Sequence, residues 1–361
     1  MARNWFVKVA SVTLTLALLA GCGGAKQEPA AEAPKTETQT QTPAPAAKPE
    51  TPAFTVAMAT DMGGLNDDSF NAAAYRGILQ AESELKVKKN VIESHRQEDY
   101  EPNFQTLMDQ KADLIWGIGF LMQDAITAMA DRNPNQKFAI IDAVVEKPNV
   151  ASVTFKEQEG SFLMGVIAAR TTKTKKVGFV GGMEIPVIAH FEAGFKAGVM
   201  AADPTVEVIT VYSASFTDPA KGKSDALTII GQGADVVFHA AGGTGQGVIE
   251  AAKEKNVFAI GVDSDQNHLA PEHVITSMMK RVDVAVYTVT KQAMENKFPG
   301  GQPVVLGLAE NAVGYSDKTL WNKLPEGLKT EVDKWADAIK AGKFTVPMDM
   351  EEFKSYKAPK L

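Results

Sequence analysis

Residues 54–71 read FTVAMATDMGGLNDDSFN. The alternating apolar run 54–59 is a short strand, Gly63 and Gly64 make a loop, and a helix opens near Ser69. This order begins an open α/β sheet, in which the loop after the first strand lies in the ligand crevice. The loop carries Asp61, Asn66, Asp67, Asp68, Ser69 and Asn71 around one aromatic ring, Phe70. A turn needs one or two short polar groups, so the excess suits a polar, flat ligand. Part of the acidity has a plainer use, since an N-cap at Asp68 or Ser69 complements the helix dipole.

The same alternation continues along the chain. Strand-like runs fall at 91–94, 113–117, 137–142 and 150–155, and again at 176–180, 206–212, 235–240, 258–263 and 274–279. Amphipathic runs separate them at 70–85, 102–110, 122–132, 157–172, 186–201, 219–231, 245–255 and 282–296. Such alternation specifies α/β architecture with parallel sheets covered by helices. Two series give two Rossmann-like lobes, and the crevice between them is the expected ligand site. The strand ends carry the distinctive residues: Asp61, Gly117-Ile-Gly-Phe120 and Asp142 in the first series. In the second they are Gly181-Gly182, Ala241-Gly-Gly-Thr-Gly245, Asp263 and Lys280.

The N-terminus fixes the compartment. Arg3 and Lys8 precede an apolar run at 9–20, which ends in Leu19-Ala-Gly-Cys22. The run falls short of the roughly 20 residues that span a bilayer and reads as a secretory signal. Small residues before the one cysteine of the chain resemble a bacterial lipobox, so Cys22 is expected to be acylated, with palmitate. Several acyl chains on one residue anchor stably where a single chain does not. A lone cysteine also excludes internal disulfides. Residues 23–52 are rich in Pro, Ala, Glu, Gln, Thr and Lys and hold no aliphatic side chain larger than alanine. They cannot bury enough surface to order themselves and read as a tether.

The remaining residues, 53–361, exceed what one core usually holds, so two domains are expected. A formal charge of −7 and the absence of a basic stripe argue against nucleic acid as a partner. GGTGQG at 242–247 fits neither the dinucleotide fingerprint nor a P-loop. The five histidines are scattered in no zinc-site pattern. His239 lies inside an apolar strand and reads as a core or supporting group. Neither a cofactor nor a metal is expected. Asp61, Asp142 and Asp263 could be imagined as the acid and base of a hydrolase, but such an enzyme needs a metal-binding aspartate cluster on one loop, to which Asp67-Asp68 is the nearest approach. No enzyme is expected.

Six segments in order, DMGGLNDDSFN, Asp142, IPVIAHFEAGFKAG, HAAGGTG, GVDSDQ and TSMMKRVDVAVY, resemble the basic membrane protein family. These are substrate-binding lipoproteins whose best-understood members are purine nucleoside receptors of ABC transporters. The resemblance spans about 54–316. It implies a type I periplasmic binding protein fold, two lobes joined by a three-stranded hinge. Lobe 1 would comprise 53–154 and 282–303, and lobe 2 155–281 and 304–361, with crossovers near 154–155, 280–282 and 302–304.

For the site, the resemblance implies a purine sandwiched between Phe70 and Phe191. Asp61, Asn71 and Asp142 would bond the polar edges of the base, and Asp263 the ribose hydroxyls. Lys280 would face the ligand, and Gly242 and Gly243 would let the backbone approach the sugar. The expected partners are guanosine, inosine or adenosine, an ABC permease, and the membrane through the lipid anchor on its extracytoplasmic face. The protein is expected to be a monomer. The alternatives are a different small polar ligand in the same fold, and a sensor not coupled to transport.

Overall fold

The computed structural model describes residues 54–360. Cys22 and the tether at 23–52 lie outside the described residues. The chain runs β1 (Thr55–Thr60), α1 (Phe70–Leu85), β2 (Lys88–Ile92), α2 (Tyr100–Asp109), β3 (Leu114–Ile118), α3 (Gln123–Arg132), β4 (Lys137–Ile141) and β5 (Val150–Phe155). A second series follows: α4 (Glu157–Thr171), β6 (Lys176–Gly181), α5 (Pro186–Ala202), β7 (Glu207–Tyr212), α6 (Pro219–Gly231) and β8 (Val236–Ala240). It continues with α7 (Thr244–Lys255), β9 (Phe258–Asp263), β10 (Val274–Lys280) and α8 (Val282–Met294). The last elements are β11 (Pro303–Leu306), β12 (Val313–Tyr315), α9 (Leu328–Lys340) and α10 (Met350–Ser355).

These strands form two six-stranded sheets of matching order, β11-β5-β4-β3-β1-β2 and β12-β10-β9-β8-β6-β7. Every pairing is parallel except β10 with β12. The central strands are buried on both faces, as parallel sheets between helix layers require. In each sheet the order reverses beside the first strand of its series, at β1/β3 and at β6/β8. Reversal points are where open α/β sheets bind ligands, at the carboxyl ends of the strands.

The chain passes between the sheets three times. It leaves the first after β5, returns after β10, and leaves again after β11. The sequence suggested the last passage near 302–304. It comes later, because β11 stays in register with β5 from Pro303 opposite Ser152 to Leu306 opposite Phe155.

Close backbone approach seats α4 on α5. A methyl carbon on Gly194 would meet the Gln158 carbonyl oxygen at 2.3 Å, and one on Gly198 the Phe162 carbonyl oxygen at 2.0 Å. The glycines of IPVIAHFEAGFKAG therefore serve helix packing, while the same helix turns Phe191 toward the cleft.

Candidate functional site

A cleft lies at the carboxyl ends of the two sheets. Asp61, Phe70, Asn71, Asp142, Phe191, Gly242, Asp263 and Lys280 all line it. Gly243 does not: a methyl carbon there would lie 3.2 Å from the Phe216 carbonyl oxygen and 3.9 Å from Asp67. Phe120, Val187, Ile188 and Phe216 complete an apolar part of the wall. Phe120 ends the Gly-Ile-Gly-Phe signal that the sequence showed after β3, whereas nothing in the sequence around Phe216 announces it.

The loop after β1 is held by its own carboxylates. Asp61 Oδ1 accepts from the Gly63 amide at 2.9 Å and from Asn71 Nδ2 at 2.8 Å. Asp67, not Asp68 or Ser69, satisfies the start of α1, accepting from the Ser69, Asn71 and Ala72 amides. Asp68 is exposed with φ +51°, and the Ser69 side chain caps nothing. Capping by a residue outside the helix frame is an Asx-type turn, which sequence places only to within a residue or two.

Ser69 instead reaches across the cleft. Its Oγ donates to Asp263 Oδ2 at 2.5 Å, while Ser264 Oγ donates to the Ser69 carbonyl at 3.1 Å. Arg76 donates to Ser264 Oγ at 2.8 Å, and Gln266 Nε2 donates to the Asp68 carbonyl at 3.2 Å. His239 sets that glutamine from behind, with Nε2 2.9 Å from Gln266 Oε1. Because Oε1 also accepts from the Val262 amide, the histidine is the donor in this contact. Burial pushes its pKa down to about 4, so it is neutral near pH 7. These bonds close the mouth between the loops after β1 and β9.

Asp142 and Asp263 occupy equivalent places, the residue after β4 and the last residue of β9. Both take left-handed backbone, φ +70° and +62°, which aspartate tolerates better than most side chains. Between them stands Lys280, 1% exposed. Its ammonium lies 2.7 Å from Asp142 Oδ2 and 2.8 Å from Glu157 Oε1. The same nitrogen is 5.2 Å from the ring centre of Phe70, 5.1 Å from that of Phe155 and 5.6 Å from that of Phe191, within cation–π range. Glu157 opens α4 and is absent from the residues that sequence reasoning selected.

Two buried acceptors on this wall have no hydrogen-bond partner among the described residues, Asn71 Oδ1 and Asp142 Oδ1. An orphaned buried acceptor costs about 1–3 kcal/mol, and an N–H or O–H donor placed in the cleft would relieve it.

Burial dominates the titration of the acids. It pushes Asp61 up to about 6, against the lowering effect of Asn71 and the Gly63 amide. It pushes Asp142 up to about 7, with Lys280 opposing and Glu157 adding to the rise, and Asp263 up to about 6. Glu157 is buried as well, but Lys280 and His190 together outweigh the burial and hold it below its ordinary value. Lys280 is held above its own, since Asp142, Glu157 and Asp263 more than offset its burial.

A stability prediction follows from the three raised carboxyls. Each keeps its proton in the fold over a range where the unfolded chain has released it. Their contribution is complete below about pH 4 and lost as pH rises through about 6–7. The melting temperature of ligand-free protein should therefore fall by about 5 °C or more from pH 5 to pH 8. Asp142→Asn should flatten that slope. Calorimetric melts at both pH values check it, and a flat or rising wild-type profile would contradict the account.

Residues 54–343 match the family described as ABC transporter substrate-binding protein PnrA-like. The chain is 39% identical over 316 residues to the CD4+ T-cell-stimulating antigen of Listeria monocytogenes, covering 81% of this chain and 88% of that protein. It is 38% identical over 313 residues to the ABC transporter nucleoside-binding protein BmpA of Lactococcus lactis, with the same coverage. Among solved structures it resembles an ABC transporter solute-binding protein of Aeropyrum pernix. There the TM-score is 0.75 at 32% identity, over 84% of this chain and 96% of that one. The two-sheet architecture, the crevice at its strand ends and these matches agree: the chain belongs to the PnrA-like family of ABC transporter substrate-binding proteins.

Proposed function

We propose that the protein binds purine nucleosides in its cleft and delivers them to an ABC permease, as a monomer anchored by lipid on the extracytoplasmic face of the membrane. The observation that carries the ligand reading is the pair of orphaned acceptors, Asn71 Oδ1 and Asp142 Oδ1, beside two phenylalanines on the cleft wall. A flat base with ring N–H groups supplies donors to the acceptors and faces to Phe70 and Phe191, and base–aromatic stacking contributes about 1–3 kcal/mol per base. Asp61 lies beside Asn71 as a further acceptor for the base edge. Asp263, on the opposite lobe, is suited to a ribose diol, and Gly242 lets the backbone come close to the sugar. A free sugar would leave the rings idle, and an amino acid would bring its carboxylate against three aspartates.

The name of the Lactococcus relative, a nucleoside-binding protein, supports the same ligand class. Titration calorimetry tests it. Guanosine, inosine or adenosine should bind tightly and pyrimidine nucleosides more weakly. No heat with any purine nucleoside would replace this ligand with another small polar molecule.

The anchor has its own test. Cys22→Ala should leave the protein without acyl chains, either unprocessed or released from the membrane fraction. A mature, membrane-bound Cys22→Ala protein would remove the lipid from the proposal.

A further inference from the structure

Lys280 is the only cation bonded to the cleft's carboxylates among the described residues, and where its ammonium sits decides what Asp142 can offer a ligand. The ammonium has three N–H groups. One goes to Asp142 Oδ2 at 2.7 Å and one to Glu157 Oε1 at 2.8 Å. Asp142 Oδ1 is left buried and unpartnered. Glu157 is 1% exposed, and its other oxygen lies 3.2 Å from His190 Nδ1 on α5. It is therefore clamped from two sides, and it pulls the ammonium away from the free oxygen of Asp142. The pull acts at the floor of the cleft, because Glu157 follows the first passage between the sheets and Lys280 precedes the second.

We propose that Glu157 is a positioning residue for ligand binding: by holding the Lys280 ammonium, it keeps one oxygen of Asp142 free to accept a hydrogen bond from the ligand. Without Glu157, the ammonium has Asp142 as its one close carboxylate. It then chelates both oxygens and competes with the ligand for Oδ1. The charges that face Asp142 are Lys280 from β10, Glu157 from α4 and Asp263 from the end of β9. The titratable and charged groups that face Glu157 are Lys280, His190, Asp142 and Asp263. Removing the negative charge of Glu157 takes away a repulsion from Asp142 and gives it the whole of the lysine. Both changes favour the ionised form of Asp142, so its titration midpoint moves down.

The inference rests on the nucleoside reading for its ligand, but half of its test needs no ligand. In protein with carbon-13-labelled aspartate, the Asp142 carboxyl is titrated by NMR without ligand in wild type, Glu157→Gln and Glu157→Asp. The midpoint should fall in Glu157→Gln and fall less in Glu157→Asp, which keeps the charge on a shorter stem. Guanosine affinity, measured by calorimetry on the same proteins, should drop about tenfold in Glu157→Gln and recover in part in Glu157→Asp. A general loss of packing would lower melting temperature and affinity but would not move the Asp142 midpoint in this graded way. Should Glu157→Gln fail to fold, Glu157→Asp against wild type makes the same comparison. An unmoved or rising midpoint overturns the proposal, as does wild-type guanosine affinity in Glu157→Gln. If wild type itself gives no heat with guanosine, inosine or adenosine, the nucleoside reading falls and the ligand-free titration still decides the role of Glu157.

Discussion

Replacing Lys280 with methionine should destabilise the protein by about 3–5 kcal/mol near pH 8, the usual cost of leaving a buried charge without its partner. Methionine fills much the same volume, so packing loss is a small part of this. The larger part is electrostatic. Asp142 and Glu157 approach the same ammonium within 2.8 Å, their side chains 6% and 2% exposed. Without the cation the two buried carboxyls repel each other, and at least one must take up a proton. The sign of the pH dependence follows. At pH 5 proton uptake is easy and the variant loses less, whereas at pH 8 the deficit is full. Urea unfolding at the two pH values measures the difference. Adding Asp142→Asn should restore part of the stability, because only one carboxylate then remains unpaired. Equal destabilisation at both pH values would mean that packing of the lysine stem, not its charge, holds the site.

This cluster also shows where sequence reading reaches its limit. The strand–loop–helix rhythm was legible because period-2 and period-3.6 patterns are local, and the run at 54–71 became β1, its loop and α1 as expected. Fold class and the cleft at the strand ends followed from that rhythm. β11 and β12 were not legible, since strands of four and three residues show no period. Glu157 was hidden for a different reason. An acid in the first turn of a helix is the ordinary complement to the helix dipole. Only the fold, by bringing in Lys280 from β10 and His190 from α5, makes it part of the site. Asp67 was visible as one of several acids in its loop, but which of them caps α1 depends on backbone angles that sequence does not display. In IPVIAHFEAGFKAG one motif serves two ends: Phe191 lines the cleft, while Gly194 and Gly198 let α5 touch α4.

Asp263→Asn is expected to weaken nucleoside binding by about tenfold to a hundredfold, the loss of one hydrogen bond to a charged acceptor in a closed site. Asparagine is the cleaner replacement than alanine, because residue 263 sits at φ +62°, where asparagine is tolerated and alanine adds backbone strain. Two roles could produce the loss. Asp263 is proposed to accept from the ligand, and it also takes the Ser69 hydroxyl across the mouth of the cleft at 2.5 Å. Ser69→Ala separates them, since it removes the bridge between the lobes and leaves the carboxylate in place. Release of nucleoside should then quicken while affinity falls only several-fold, because the bonds of Arg76 and Gln266 across the same mouth remain. If Asp263 served only as a latch, Ser69→Ala would cost as much as Asp263→Asn, and the double variant no more than either. If it also holds the ligand, Asp263→Asn must cost more than Ser69→Ala, and for a 2′,3′-dideoxynucleoside the cost of Asp263→Asn must shrink to about that of Ser69→Ala. That last comparison is decisive, because the analogue lacks the hydroxyls that the carboxylate is proposed to hold and leaves the latch untouched.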